Sequence, residues 1–236
     1  MKHFLNWARD ADTGSRVLYL DGVIAEESWF DDSVTPAAFK AELFAGEGDV
    51  TLWLNSPGGD CVAASQIYAL LMDYPGNITV KIDGIAASAA SVIAMAGTTV
   101  LMAPTALMMC HNPLTVAIGD SEEMRKAIDM LGEVKEAILN AYEIKTGLSR
   151  VKLSHLMDAE TWLSANKAIE LGFADGMLQD EKRQPPAGGA SGFETYAFSR
   201  RAVTNSLLDK VRPKLQNVPQ GIPIEALDKR LSLISH

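Results

Sequence analysis

"NITVKIDGIAASAASVIAMAGTTVLMA", residues 77–103, runs from a β-type segment through a glycine into a small-residue stretch and out into a second β-type segment. "NITVKIDG" (77–84) reads as a strand, "ASAASVIAMAG" (87–97) as a helix, and "TTVLMA" (98–103) as the next strand. Strand, helix and strand in succession form the unit of a parallel sheet. The same order extends outward. "RVLYLDG" (16–22) and "DVTLWLN" (49–55) read as strands, "DCVAASQIYALLMDY" (60–74) as a helix, and "ALMMCH" (106–111) as a strand beyond the Pro104 turn. The expected class is therefore α/β, a parallel sheet covered by helices.

Further on, "DSEEMRKAIDMLGEVKEAILNAYEIKTG" (120–147) opens with an Asp/Ser cap and glutamates and closes at Gly147. Met124, Ala127, Ile128, Leu131, Val134, Ala137, Ile138 and Ala141 give it a helical apolar stripe. A helix of that length in so small a body is expected to project. Composition changes at "EKRQPPAGGASG" (181–192), which reads as a linker between a body, 1–180, and a tail, 193–236. The tail is expected to be weakly helical or disordered.

The 236 residues are 47% hydrophobic and 22% charged, enough to bury a core. The net charge of −9 argues against a grip on nucleic acid through phosphates. It is unevenly spread, with nine Lys/Arg and five Asp/Glu in 181–236 against 12 and 25 before it. No apolar run reaches the roughly 18 residues of a membrane span, and "MKHFLNWARDADTGS" lacks the apolar stretch of a signal peptide. Two cysteines, Cys61 and Cys110, suggest neither a disulfide framework nor a metal site. A cytoplasmic protein without metal or organic cofactor is expected.

Several stretches could carry chemistry. "LNSPGGD" (54–60) leaves a strand and puts two glycines before a helix. It is either a tight turn or a nest of outward N–H groups suited to an anion, including a developing oxyanion. Ser88 lies at the first turn of the next helix, where serine serves either as a cap or as a nucleophile at a strand-to-helix turn. In the second case the Ala89 N–H helps hold the oxyanion. Ser91, one turn on, reads as a small residue packing inward. Of four histidines, His3 and His236 lie at the ends and His155 in a surface helix. His111 ends a strand, the usual place for functional groups in an α/β body. Asp158 and Glu160 compete as the carboxylate that would orient an imidazole, and nothing local decides between them.

Together these landmarks resemble the proteolytic subunit of the Clp protease, and especially the ClpP-like head-maturation proteases of tailed phages. They are Asn55-Ser56-Pro57-Gly58-Gly59, then Gly84-x-Ala86-Ala87-Ser88, then His111-x-Pro113, then Leu163-Ser164-Ala165 running to Leu171-Gly172-Phe173-Ala174-Asp175. The resemblance spans residues 16–178 and implies a ClpP-like, crotonase-like β-α-β spiral whose projecting handle helix would be 120–147. Residue by residue, it implies Ser88 as nucleophile, His111 as general base, and Gly59 and Ala89 as oxyanion-hole donors. It implies Glu160 as the acid, where better-known members have aspartate, with Asp158 in reserve. A second departure is Asn112, where glutamine is usual.

The implied activity is a serine endopeptidase acting on capsid or scaffold proteins in a prohead, assembled as homo-oligomeric rings. Within the family the alternative is a degradative subunit that takes unfolded chains from an AAA+ unfoldase. A Ser–Lys dyad using Lys81 would leave His111 without a role. Outside peptidases, a crotonase-like fold could bind acyl thioesters through the same two N–H groups, or the chain could be a non-catalytic capsid-assembly scaffold.

Overall fold

The computed structural model describes residues 5–9, 16–27 and 33–178. In chain order the elements are β1 (Leu5–Arg9), β2 (Arg16–Asp21), β3 (Val23–Ile24), β4 (Ser33–Val34), α1 (Pro36–Leu43), β5 (Val50–Ser56), α2 (Cys61–Asp73) and β6 (Ile78–Ala87). They continue with α3 (Ala89–Ala94), β7 (Thr99–Met102), β8 (Leu107–Cys110), α4 (Ser121–Thr146), α5 (Arg150–Asp158), β9 (Thr161–Ser164), α6 (Ala165–Glu170) and β10 (Gly176–Met177). The linker and tail expected over 181–236, and His3 and His236, lie outside the described residues.

The main sheet runs β1-β2-β5-β6-β7-β10, with β8 on β6 and β9 on β8. β2, β5, β6, β7, β8 and β10 pair in parallel, while β1 on β2 and β9 on β8 are antiparallel. The α/β class with a parallel sheet is as expected. Along β5, Val50, Leu52 and Leu54 are buried and alternate with the half-buried Thr51, Trp53 and Asn55. β6 repeats this with Ile78, Val80 and Ile82. One face of these strands therefore packs into the core, where α2 adds Ala63, Ala64, Ile67 and Leu71. On the opposite face Tyr19 stacks on Trp53, with the Lys81 ammonium 5.3 Å from the ring centre.

β6 is the element that builds the site. Read from sequence, this strand stops at Gly84; in the structure it continues to Ala87. Its first half, Thr79–Ile82, pairs with β7, and its second half, Ile85–Ala87, pairs with β8. The strand thus forks its neighbours at Asp83-Gly84. Gly84 is needed because a Cβ there would lie 2.5 Å from the Asn55 Oδ1. That oxygen accepts from the Ile85 N–H, and the Asn55 amide donates to Asp21. The Asn55 side chain so fastens β5 to β6 where the register shifts.

α4 runs for 26 residues between an Asp120 cap, whose side chain accepts from the Glu122 and Glu123 N–H groups, and Gly147. Its buried residues, Ile138, Leu139, Ala141 and Tyr142, all fall in its second half. Over the first half the stripe of Met124, Ile128, Leu131 and Val134 stays partly or fully exposed. The expected projection is what the structure has.

Candidate active site

Parallel strands deliver their C-terminal ends to one edge, and three of these ends converge here. Ser56-Pro57-Gly58-Gly59 follows β5, Ser88 follows β6 and His111 follows β8. The His111 Nε2 lies 2.7 Å from the Ser88 Oγ. His111 is 9% exposed, a position that limits water around the ring without sealing it off.

Ser88 occupies the N-cap position of α3, yet its side chain makes no capping hydrogen bond. Its backbone sits at φ 55°, ψ −125°, a region that L-residues rarely adopt and that costs about 1–3 kcal/mol. Neighbouring bonds hold it there. The Ser88 N–H donates to the Met109 carbonyl at 2.9 Å, and the Ser88 carbonyl accepts from the Ser91 N–H at 2.9 Å. The hydroxyl makes no bond to the helix and meets instead the His111 ring that follows β8.

The Gly58-Gly59 loop packs against this turn. A Cβ on Gly58 would lie 2.9 Å from the Ser88 Cβ and 3.0 Å from the Ala89 nitrogen. One on Gly59 (φ 150°) would lie 2.0 Å from the Ile24 carbonyl oxygen. Only glycine permits both approaches. The bridge to Ile24 uses the Gly58 carbonyl and the Asp60 N–H, and leaves the Gly59 N–H out. Ala89 is the first residue of α3, so its N–H has no acceptor within the helix.

The two candidate acids differ in their surroundings. Asp158, exposed at the end of α5, accepts from Lys135 Nζ at 2.7 Å and from the Asn112 amide at 2.8 Å. Those partners hold its carboxyl below the usual range, Lys135 contributing most. Among the described residues no hydrogen bond or ion pair engages the Glu160 carboxylate. Glu160, itself at φ 48°, directly precedes β9, and the antiparallel ladder pairs Cys110 with Thr161. His111 and Glu160 are the next residues outward on the two strands.

Two residues beneath the site carry no signal in the local sequence. Ser91 is fully buried, as its inward-packing reading requires, but it is not merely a small packing residue. Its hydroxyl donates to the Ser88 carbonyl at 2.5 Å and lies 2.8 Å from the Tyr142 hydroxyl. Tyr142, from α4, packs edge-on against Phe173, and burial pushes its phenol well above the ordinary range. Cys110, just before His111, is buried and its thiol pushed up to about 11. It is no rival nucleophile, since thiolate, not thiol, reacts.

The family model for Clp protease matches residues 16–181. The chain belongs to the Clp protease family. Among Clp relatives it is 31% identical over 134 residues to the ATP-dependent Clp protease proteolytic subunit 2 of Thermobifida fusca (strain YX). That match covers 56% of this chain and 66% of the relative. The Clp family match spans every described element from β2 to β10, and so includes Ser88, His111 and both candidate acids.

Proposed function

We propose that this chain is a serine endopeptidase that works through an acyl-enzyme on Ser88. The observation that carries the reading is the 2.7 Å contact between His111 Nε2 and a serine hydroxyl held at a strained strand-to-helix turn. With the imidazole proton on Nδ1, the Ser88 O–H donates to Nε2. As the Ser88 oxygen attacks a peptide carbonyl, His111 takes that proton, and the Gly59 and Ala89 N–H groups receive the developing oxyanion. The imidazolium then protonates the leaving amine, and water, deprotonated by the same ring, releases the acyl group. In this reading Glu160 is the acid that would turn to the imidazole Nδ1–H and stabilise the cation, a bond its carboxylate does not make in the structure. Its carboxylate, uncommitted among the described residues, and its place beside His111 across the β8–β9 ladder favour it over Asp158.

Ser88→Ala is expected to lower peptidase activity by about 10³-fold or more while leaving the fold intact. Labelling of Ser88 by a fluorophosphonate also separates this reading from an acyl-thioester binder or an assembly scaffold, neither of which needs an activated serine. Lys81 as a dyad base is disfavoured by its position over Trp53, on a half-buried strand face.

For the biological role we propose processing of capsid or scaffold proteins within a homo-oligomer. What supports it is the resemblance of the four landmarks to the head-maturation proteases; at Glu160 and Asn112 the chain departs from the better-known family members, which have aspartate and glutamine. The degradative reading has its own support in the name of the Thermobifida relative, an ATP-dependent subunit. ATP-driven breakdown of an unfolded protein with an AAA+ unfoldase would establish degradation. ATP-independent cleavage of a capsid precursor would establish processing.

A further inference from the structure

The hydroxyls of Ser91 and Tyr142 form a directed chain that ends on the catalytic peptide group. Ser91 has one hydroxyl proton, and the Ser88 carbonyl can only accept, so that proton is committed to the carbonyl at 2.5 Å. The Tyr142 hydroxyl, 2.8 Å away, must then donate to the Ser91 oxygen. Burial keeps the phenol protonated, so the direction does not change with pH. Tyr142 is 1% exposed and Ser91 0%, so the two hydroxyls are shielded from bulk solvent.

The carbonyl that receives this chain belongs to the same peptide group as the Ala89 N–H. A planar peptide couples its two ends. Fixing and polarising the carbonyl oxygen therefore fixes the direction of the N–H and strengthens it as a donor. The Ser91 N–H, at 2.9 Å, is the other donor to that carbonyl, so two bonds hold it. We infer that Ser91 and Tyr142 are positioning residues for catalysis: through the Ser88 carbonyl they orient and strengthen the Ala89 N–H as oxyanion donor and hold the nucleophile in its left-handed turn. Tyr142 also places the control on α4, so the anchored half of the projecting helix touches the chemistry through one hydroxyl. The inference rests on the peptidase reading above.

The test is phosphonylation of the full-length protein by a fluorophosphonate. The Ser88 Oγ–P bond forms, the P–F bond breaks, fluoride leaves and the serine proton passes to His111, while charge builds on the phosphoryl oxygen in the hole. The maximal rate and the half-saturating concentration are measured for the parent, Ser91→Ala, Tyr142→Phe and the double variant. Ser91→Ala is expected to slow the maximal rate about tenfold, less than the 10²–10³ of losing a donor outright, with half-saturation unchanged. Tyr142→Phe, which keeps the ring, is expected to slow it a few-fold, and the double variant to match Ser91→Ala alone. A purely structural role would lower thermal stability in each variant and leave the maximal rate alone. Parent-like rates in both single variants, or a double loss equal to the product of the single ones, would overturn the inference. Should Ser91→Ala not fold, an unchanged rate in Tyr142→Phe overturns it by itself. If the parent protein is not labelled at Ser88, the peptidase reading falls and takes this one with it. A labelled parent with unaffected variants sinks only the positioning role.

Discussion

Glu160 and Asp158 stand two residues apart, and the chain gives them different surroundings. Asp158 spends its carboxylate on Lys135 and Asn112, an exposed tie between α5, α4 and the segment after His111. Exposed pairs of this kind contribute little to stability, and its removal leaves the imidazole's flank in place. Among the described residues Glu160 has no competing partner. Glu160→Ala should therefore lower kcat by about 10³–10⁴-fold, as expected for losing the group that orients a catalytic histidine, while Asp158→Ala keeps most of it. Steady-state kinetics on the two variants, run side by side, check this, and the opposite ranking would transfer the role to Asp158. Cys110 makes a separate prediction. Its folded thiol titrates near 11, against an ordinary 9.0, so the unfolded chain ionises first. The contribution of the neutral thiol is complete below pH 9 and is lost as pH rises toward 11. Denaturant titrations across that window should show a decline in stability that Cys110→Ala makes shallower.

At the scale of elements, β6 shows why part of the fold could be read from sequence and part could not. The strands β2, β5, β7, β8 and the first part of β6, the capped 26-residue helix and the helix after Asp60 are each announced by residues within or beside them. The run from 85 to 87 is not, because a glycine inside a strand looks like its end. What keeps it extended is Asn55, which lies on a different strand and fills the space a side chain on Gly84 would take. Likewise nothing in the local sequence marks the four residues of β9 as a strand, and only pairing with β8 makes them one. Ser88 and His111 stand in the sequence as candidates at a strand-to-helix turn and a strand end, and the family resemblance is what singles them out. The hydroxyl chain from Tyr142 through Ser91 spans 51 residues and could not be found that way. Gly84→Ala tests the fork directly. The added methyl must displace the Asn55 carboxamide and with it the bonds to Ile85 and Asp21. A loss of about 1–3 kcal/mol is expected from such overpacking, accompanied by slower fluorophosphonate labelling because Ser88 rides on the far half of the strand. Asn55→Ala made together with Gly84→Ala should recover little, since the bridging bonds are lost either way. Denaturation midpoints for the two variants measure both effects.

For the whole molecule, the first half of α4 poses a question of burial. Ile128 is 65% exposed, and Val116 and Ile118, just before the helix, are 83% and 92% exposed. Isolated apolar residues on a surface are ordinary, but Ile128 continues one helical stripe with Met124, Leu131 and Val134 along a projecting element, and Val116 and Ile118 lie in the segment that leads into it. Among the described residues α4 fully buries side chains only from Ile138 onward, and of this stripe only Val134 packs against the core. A second copy of the chain carries the same stripe, which matches the homo-oligomer proposed above. Fully burying an isoleucine contributes about 1.5–3 kcal/mol, and each subunit of a ring repeats the contact. Ile128→Glu replaces that gain with an unpaired buried charge, so subunit dissociation constants should rise by about 10²-fold or more. Sedimentation velocity is the measurement. The parent protein should sediment as a multi-subunit particle and the variant as smaller species, with unchanged far-UV circular dichroism. Because Ser88, His111 and Gly59 all lie on one chain, the separated variant should still bind a fluorophosphonate at Ser88. An Ile128→Glu protein that sediments like the parent would mean that the stripe is covered by something other than another copy of itself.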